Sequence, residues 1–198
     1  MKSNGVPDWY LDSCKKIKYM FPKAHAAAYV MSAIRLGWYK VYRPREFYAA
    51  LFTVRPDGFD AEAMSGGLSG IKSKRAALLA KLQESGTKMS ANDKNALNVM
   101  DLSIEMYSRG ISFLPVDRYK SDPFRFVVEG DGIRMPFIAV AGLGDSVATA
   151  LAEARKESRF STQEDIKNVS GVSKSIVEAM DRLGAFAGIP KSSQLTFF

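Results

Sequence analysis

The 198-residue sequence holds a single cysteine, Cys14, and a single histidine, His25. One thiol cannot close an internal disulfide, which excludes a disulfide-framed secreted scaffold. One cysteine and one histidine cannot furnish a zinc finger or a three-histidine metal site. Long apolar runs are missing too. The longest, residues 24–41, is interrupted by His25, Ser32, Arg35 and Lys40, whereas a bilayer-spanning helix needs roughly 20 mostly apolar residues. The opening MKSNGVPDWYLD has no apolar core of a signal peptide. No Asp-x-Asp, GxxxxGK[S/T] or His-x-Glu pattern occurs. Asp57/Asp60 and Glu164–Asp165 are acidic pairs without converging partners, and two-metal phosphoryl chemistry requires such convergence. A lone histidine gives nucleophilic catalysis one weak base. The sequence therefore predicts a cytoplasmic chain with no membrane span, no catalytic residue, no metal site and no cofactor of its own.

What is present is an ordinary globular composition, 46% apolar and 25% charged, enough for one good core or two small ones. The formal charge of +7 is unevenly spread: residues 1–60 carry +5, residues 61–130 carry +2, and residues 131–198 are neutral. A basic N-terminal third suits a polyanion such as nucleic acid; it is equally what a solvated lysine face looks like.

The pattern is mainly helical. Pro7 precedes WYLDSCKKIKYMF, in which Trp9, Cys14, Ile17 and Met20 share one face. Pro22 ends that element. AHAAAYVMSAIRLGWYKVY, from Ala24, is apolar on most of its circumference, and Pro44 opens a third helix, REFYAALFTVR. A helix apolar nearly all round must be buried among others, so residues 1–55 are expected to form a compact helical layer. Residues 56–70, PDGFDAEAMSGGLSG, read as a loose boundary. Two helices follow, about 71–85 and 91–108, the second introduced by Ser90 and Asp93 at capping-box spacing. The period then shortens: Phe124, Phe126 and Val128 alternate and Gly130–Asp131–Gly132 signals a turn, so a small β-hairpin is expected.

The most informative motif follows Pro136. Val140, Gly142, Leu143, Gly144 and Ala148 match apolar-x-Gly-apolar-Gly-x-x-x-Ala, the spacing of a helix-hairpin-helix element. Its glycines permit a tight turn and close approach of a ligand to the backbone. The N–H groups of Gly144, Asp145 and Ser146 then open a helix whose positive end attracts phosphate, a contact that grips a duplex without reading bases. Ser170, Gly171, Val172 and Ser173 form a second such turn with one glycine missing. An ordinary glycine-capped αα turn is the alternative for either one. Two further features stand out. Lys15, Lys16 and Lys18 precede Phe21-Pro22-Lys23-Ala24-His25, where lysines beside a helix start favour a triphosphate; a solvated face and a capping histidine are the plain alternative. Gln194-Leu195-Thr196-Phe197-Phe198 is an apolar chain end after Pro190-Lys-Ser-Ser, suited to insertion in a partner's pocket or to folding back on the core.

VPDWYLDSCKKIKYMFPKAHAAAYVMSAIRLGWYKVYRPREFYAALFTVR closely resembles the C-terminal fingers region of the bacterial C-family replicative DNA polymerases, of the PolC-type DNA polymerase III of Gram-positive bacteria in particular. SFLPVDRYKSDPFRFVV, the PF-x-A-x-x-GLG segment and the closing Gln-Leu-x-x-Phe are similar to that family as well, in the same order along all 198 residues. The resemblance implies a template-directed polymerase whose catalytic aspartates and Mg2+ belong to a palm outside this chain, making it an inactive C-terminal fragment or a mis-started reading frame. It implies fingers over 1–60, a helical and β-hairpin connector over 61–135, tandem hairpins over 136–188 and a clamp-binding tail over 189–198. Lys16, Lys18, Lys23 and His25 would lie near the incoming deoxynucleotide triphosphate. Gly142, Leu143, Gly144, Asp145 and Ser146, with Ser170, Gly171, Val172 and Ser173, would hold primer–template duplex. Gln194, Leu195, Phe197 and Phe198 would dock on the sliding clamp, with Thr196-Phe197 replacing the usual Ser-Leu. A stand-alone DNA-binding accessory protein with a clamp tail is the other reading.

Overall fold

The structure, a computed structural model, describes residues 1–17, 22–54, 57–85, 89–157, 160, 162–170 and 172–190. The chain divides into two compact units, Met1–Arg43 and Pro44–Phe198.

In the first unit a short 3-10 turn, Lys2–Asn4, precedes α1 (Asp8–Lys16), which Pro7 introduces in extended conformation. α2 runs Lys23–Tyr42 behind Pro22. The expected helices are there, but the expected burial is not. No residue of α2 is buried, and Tyr29, Ile34, Val41 and Tyr42 are each about two-thirds exposed. An all-round apolar helix needs neighbours on several sides, and among the described residues this unit supplies none that bury it. The helix foreseen as the third member of the layer, α3 (Pro44–Val54), builds the core of the second unit instead, through Tyr48, Ala49 and Phe52.

In that second unit, residues 57–70 are packed rather than loose. Asp60 caps α4 (Ala61–Ser65) by accepting a hydrogen bond from the Ala63 N–H, and Ala61 and Met64 are buried. Gly58, at φ 83°, lies so close to α6 that an added Cβ would stand 2.5 Å from the Ala96 nitrogen. The glycine here buys proximity, not looseness. α5 (Gly67–Ser85) accordingly starts earlier than expected. α6 (Ala91–Ser108) begins at the foreseen capping box: Asp93 N–H donates to the Ser90 hydroxyl, and the Asp93 carboxylate accepts from Ser90 N–H. Donation from the Ser90 hydroxyl, then from the Ser90 N–H, holds the Asp93 carboxyl below its ordinary value.

The foreseen hairpin is β2 (Val127–Glu129) against β3 (Gly132–Arg134), turning at Gly130–Asp131. A strand the sequence reading missed, β1 (Ser112–Leu114), pairs parallel with β3, giving the order β1-β3-β2. Arg45 of α3 holds the turn, donating to the Gly130 carbonyl at 2.6 Å and to Asp131 Oδ1 at 3.1 Å. The Thr53 hydroxyl donates to the Ala49 carbonyl and accepts from the Phe126 N–H. Arg134, only 8% exposed, donates to the Pro115 carbonyl and forks onto Glu129, which Lys120 also pairs. Donation from Arg134, then from Lys120, lowers the Glu129 carboxyl to about 2. Phe52, Phe59, Phe113 and Phe126 pack edge to face over this sheet, a geometry aromatic quadrupoles prefer.

The last part of the unit comprises a 3-10 turn at Phe137–Ala139, then α7 (Asp145–Glu157), α8 (Gln163–Ser170) and α9 (Lys174–Arg182). The fold is therefore mainly α with one small sheet, as the sequence pattern predicts. No helix among the described residues is long and apolar enough to cross a membrane.

Candidate nucleic-acid interface

The turn into α7 has the geometry its spacing predicts. Gly142 sits at φ 81°, a left-handed conformation that costs other residues about 1–2 kcal/mol. Leu143 is 4% exposed and belongs to the same buried cluster as Val140, Ala148 and Leu151. Its N–H donates back to the Val140 carbonyl at 3.1 Å, and the next carbonyl, that of Gly144, accepts from both Val147 and Ala148. Gly142, Gly144, Asp145 and Ser146 are exposed. The N–H groups of Gly144, Asp145 and Ser146 meet no acceptor among the described residues. They form the open positive end of a thirteen-residue helix, suited to an anion. A Cβ on Gly144 would meet nothing within 4 Å, so space within the fold does not dictate a glycine there.

The second turn repeats the pattern where it is described. Val172 is 3% exposed, matching Leu143. Ser173, in extended conformation, caps α9, and its carbonyl accepts from Ile176 and Val177 N–H, both at 3.1 Å. Its hydroxyl bonds that of Ser175 at 2.9 Å. Ser170 closes α8; Gly171 lies outside the described residues. The helix that follows starts with Lys174 where α7 starts with Asp145, so the turn lacking a glycine carries the favourable charge. α7, α8 and α9 pack in sequence, and the Gln163 N–H donates to the Pro190 carbonyl at 3.1 Å, closing the second hairpin on itself.

The other candidate residues are elsewhere. Lys16 ends α1, Lys23 starts α2, and His25 lies two residues further on with its ring edge against Tyr29 at 4.5 Å. All three are exposed in the first compact unit, whereas both hairpins are in the second. Lys18, and the tail residues Gln194, Leu195, Phe197 and Phe198, lie outside the described residues. No group of three or more His, Cys, Asp or Glu side chains able to hold a metal occurs among the described residues.

A sequence model of the helix-hairpin-helix motif matches residues 110–195. Over all 198 residues the chain is 45% identical to a protein of Clostridium perfringens, 46% to one of Bacillus cereus and 44% to one of Bacillus subtilis. Each of these is named DNA polymerase III PolC-type. The chain spans only 13–14% of the length of these relatives.

Proposed function

We propose that the chain is a piece of a PolC-type replicative DNA polymerase and that its two hairpins grip the backbone of duplex DNA. The observation that carries this reading is the pair of turns: a buried apolar anchor in each, followed by a helix start at the surface. Identity of 44–46% along the whole chain to proteins named for that activity supports it, as does the net charge of +7. In this reading the hairpins position the duplex through backbone N–H groups and Lys174. Exposed lysines elsewhere contribute the salt-sensitive attraction. Lys16, Lys18, Lys23 and His25 face the incoming deoxynucleotide triphosphate, and Gln194, Leu195, Phe197 and Phe198 dock on the sliding clamp. Nucleotide transfer, with its Mg2+, belongs to residues outside this chain, which by itself does not polymerise.

Fluorescence anisotropy of the purified chain with labelled duplex, across a salt series, tests the grip. A log–log slope of about −0.9 per phosphate contact is expected, with a marked loss in a Gly142→Val/Gly144→Val double variant. A flat response from folded protein would remove the duplex-grip reading.

A further inference from the structure

The second unit contains a cavity of about 530 Å³ that the hairpin geometry does not use. Its volume falls within the range of about 300–1,000 Å³ typical of small-ligand sites. Its lining includes Phe52, Phe59, Phe124 and Phe126 together with Ala141–Gly142–Leu143 of the first hairpin turn. Cavity and phosphate-binding turn therefore share a wall. Phe124 is the exception among these rings, 41% exposed where Phe52 and Phe126 are buried.

The loop that carries Phe124 is nonetheless firmly held. The Asp122 carboxylate accepts from the N–H groups of Phe124 and Arg125, both at 2.8 Å. Phe137 N–H donates to the Asp122 carbonyl and Ile138 N–H to the Pro123 carbonyl, both at 3.0 Å. Arg155 of α7 donates to the Ser121 carbonyl. The loop is thus tied both to the segment leading into the first hairpin and to the helix leading out of it. A half-exposed aromatic ring that lines a cavity and sits on a firmly held backbone is a stacking surface. Exposed Arg125 follows it in the chain.

The polar groups at the cavity select what can enter. Asp60 and Glu62 line it, each already paired, Asp60 with Lys74 and Glu62 with Arg182. Carboxylates repel phosphate but accept hydrogen bonds from N–H donors. The Thr53 hydroxyl is committed to Ala49 and Phe126. A flat, uncharged, aromatic group with an amino substituent fits these demands, and the adjoining turn is where a nucleotide phosphate would sit.

We propose that this cavity takes one unpaired nucleobase of a DNA strand, stacked on Phe124, while the first hairpin holds the neighbouring phosphate. The site rests on the duplex-grip reading and extends it from backbone positioning to recognition of an unpaired base. Bases bearing an exocyclic amino group, adenine above thymine, are favoured by the acceptor-only carboxylates.

The test compares three duplexes of one sequence in anisotropy titrations with the full 198-residue chain. One ends in an unpaired adenine, one in an unpaired thymine, and one in an abasic nucleotide that keeps the phosphate. Base–aromatic stacking predicts affinity about 5-fold or more higher for unpaired adenine than for the abasic end, with thymine between them. Phe124→Ala should erase that difference and Phe124→Trp should retain it; circular dichroism checks that each variant is folded. Equal affinity for adenine and abasic ends in the wild type would overturn the proposal while leaving the duplex grip standing. So would a Phe124→Ala loss that is the same for all three duplexes. Absence of salt-dependent binding to any duplex by folded protein would remove both.

Discussion

Leu143 and Val172, twenty-nine residues apart in the chain, occupy equivalent places in two turns. Each is buried, and each is followed by a residue whose carbonyl accepts from the N–H groups three and four positions on. The apolar anchor fixes where the following helix starts, so its packing sets the position of the groups exposed beside it. Leu143→Ala should destabilise the chain by about 2–5 kcal/mol, the usual cost of emptying a buried leucine site. Urea denaturation measures this; a change under about 0.5 kcal/mol would mean that the anchor is not packed.

The two glycines of the first turn should separate folding from binding. Gly144→Ala places a methyl group in open space and should leave the melting temperature nearly unchanged. It should weaken duplex binding by standing where a phosphate would approach. Gly142→Ala, at φ 81°, should cost about 1–2 kcal/mol in stability as well. If Gly144→Ala binds duplex as tightly as the parent in parallel melting and anisotropy measurements, close approach at that residue is not part of the grip.

Acid stability should depend on Glu129. Its carboxyl is lowered from 4.5 to about 2 by hydrogen bonds from Arg134 and then Lys120. A carboxyl depressed by folding stabilises the folded state above its unfolded value, and that contribution fades as pH falls through its folded value. Glu129→Gln should therefore be less stable than the parent at neutral pH, and the gap should narrow between about pH 4.5 and 2. Melting curves of both proteins over that interval check it; a pH-independent gap would argue against the charge as its source.

Ile34 is 66% exposed on α2. Ile34→Lys should change the unfolding free energy by no more than about 0.5 kcal/mol, as at other surface positions. The same change should reduce self-association of the isolated chain, since it interrupts an uncovered apolar helix face. Sedimentation velocity alongside thermal melting reads both; strong destabilisation would show that the side chain is packed after all.

Elements marked by local chemistry were legible in the sequence. Ser90 and Asp93 announced the start of α6, Gly130–Asp131–Gly132 the hairpin turn, and Gly142-Leu143-Gly144 the start of α7. Features that depend on distant partners were not. β1 joins β3 in parallel through a pairing that no local pattern encodes. The glycines of residues 56–70 signal turns by their local chemistry, whereas Gly58 lets the chain touch α6. The composition of α2 predicts burial, but burial requires neighbours, and composition does not say whether they are present. The alternation at Phe124 and Phe126 correctly signalled a period of two near the strand. It concealed that β2 begins only at Val127, leaving Phe124 half exposed in a loop.

The Thr53 hydroxyl bridges the Ala49 carbonyl within α3 and the Phe126 N–H just before β2. Phe126 thus has its amide proton held by a side chain from a helix 73 residues earlier. Exchange of that proton with solvent deuterium then reports on opening of the last turn of α3 rather than on the sheet beside it. Amides paired between β2 and β3 should keep their own, separate rate. One hydroxyl ties the helix end to the residue before the strand, and replacing Thr53 with valine, nearly identical in shape, should let the Phe126 amide exchange independently of α3.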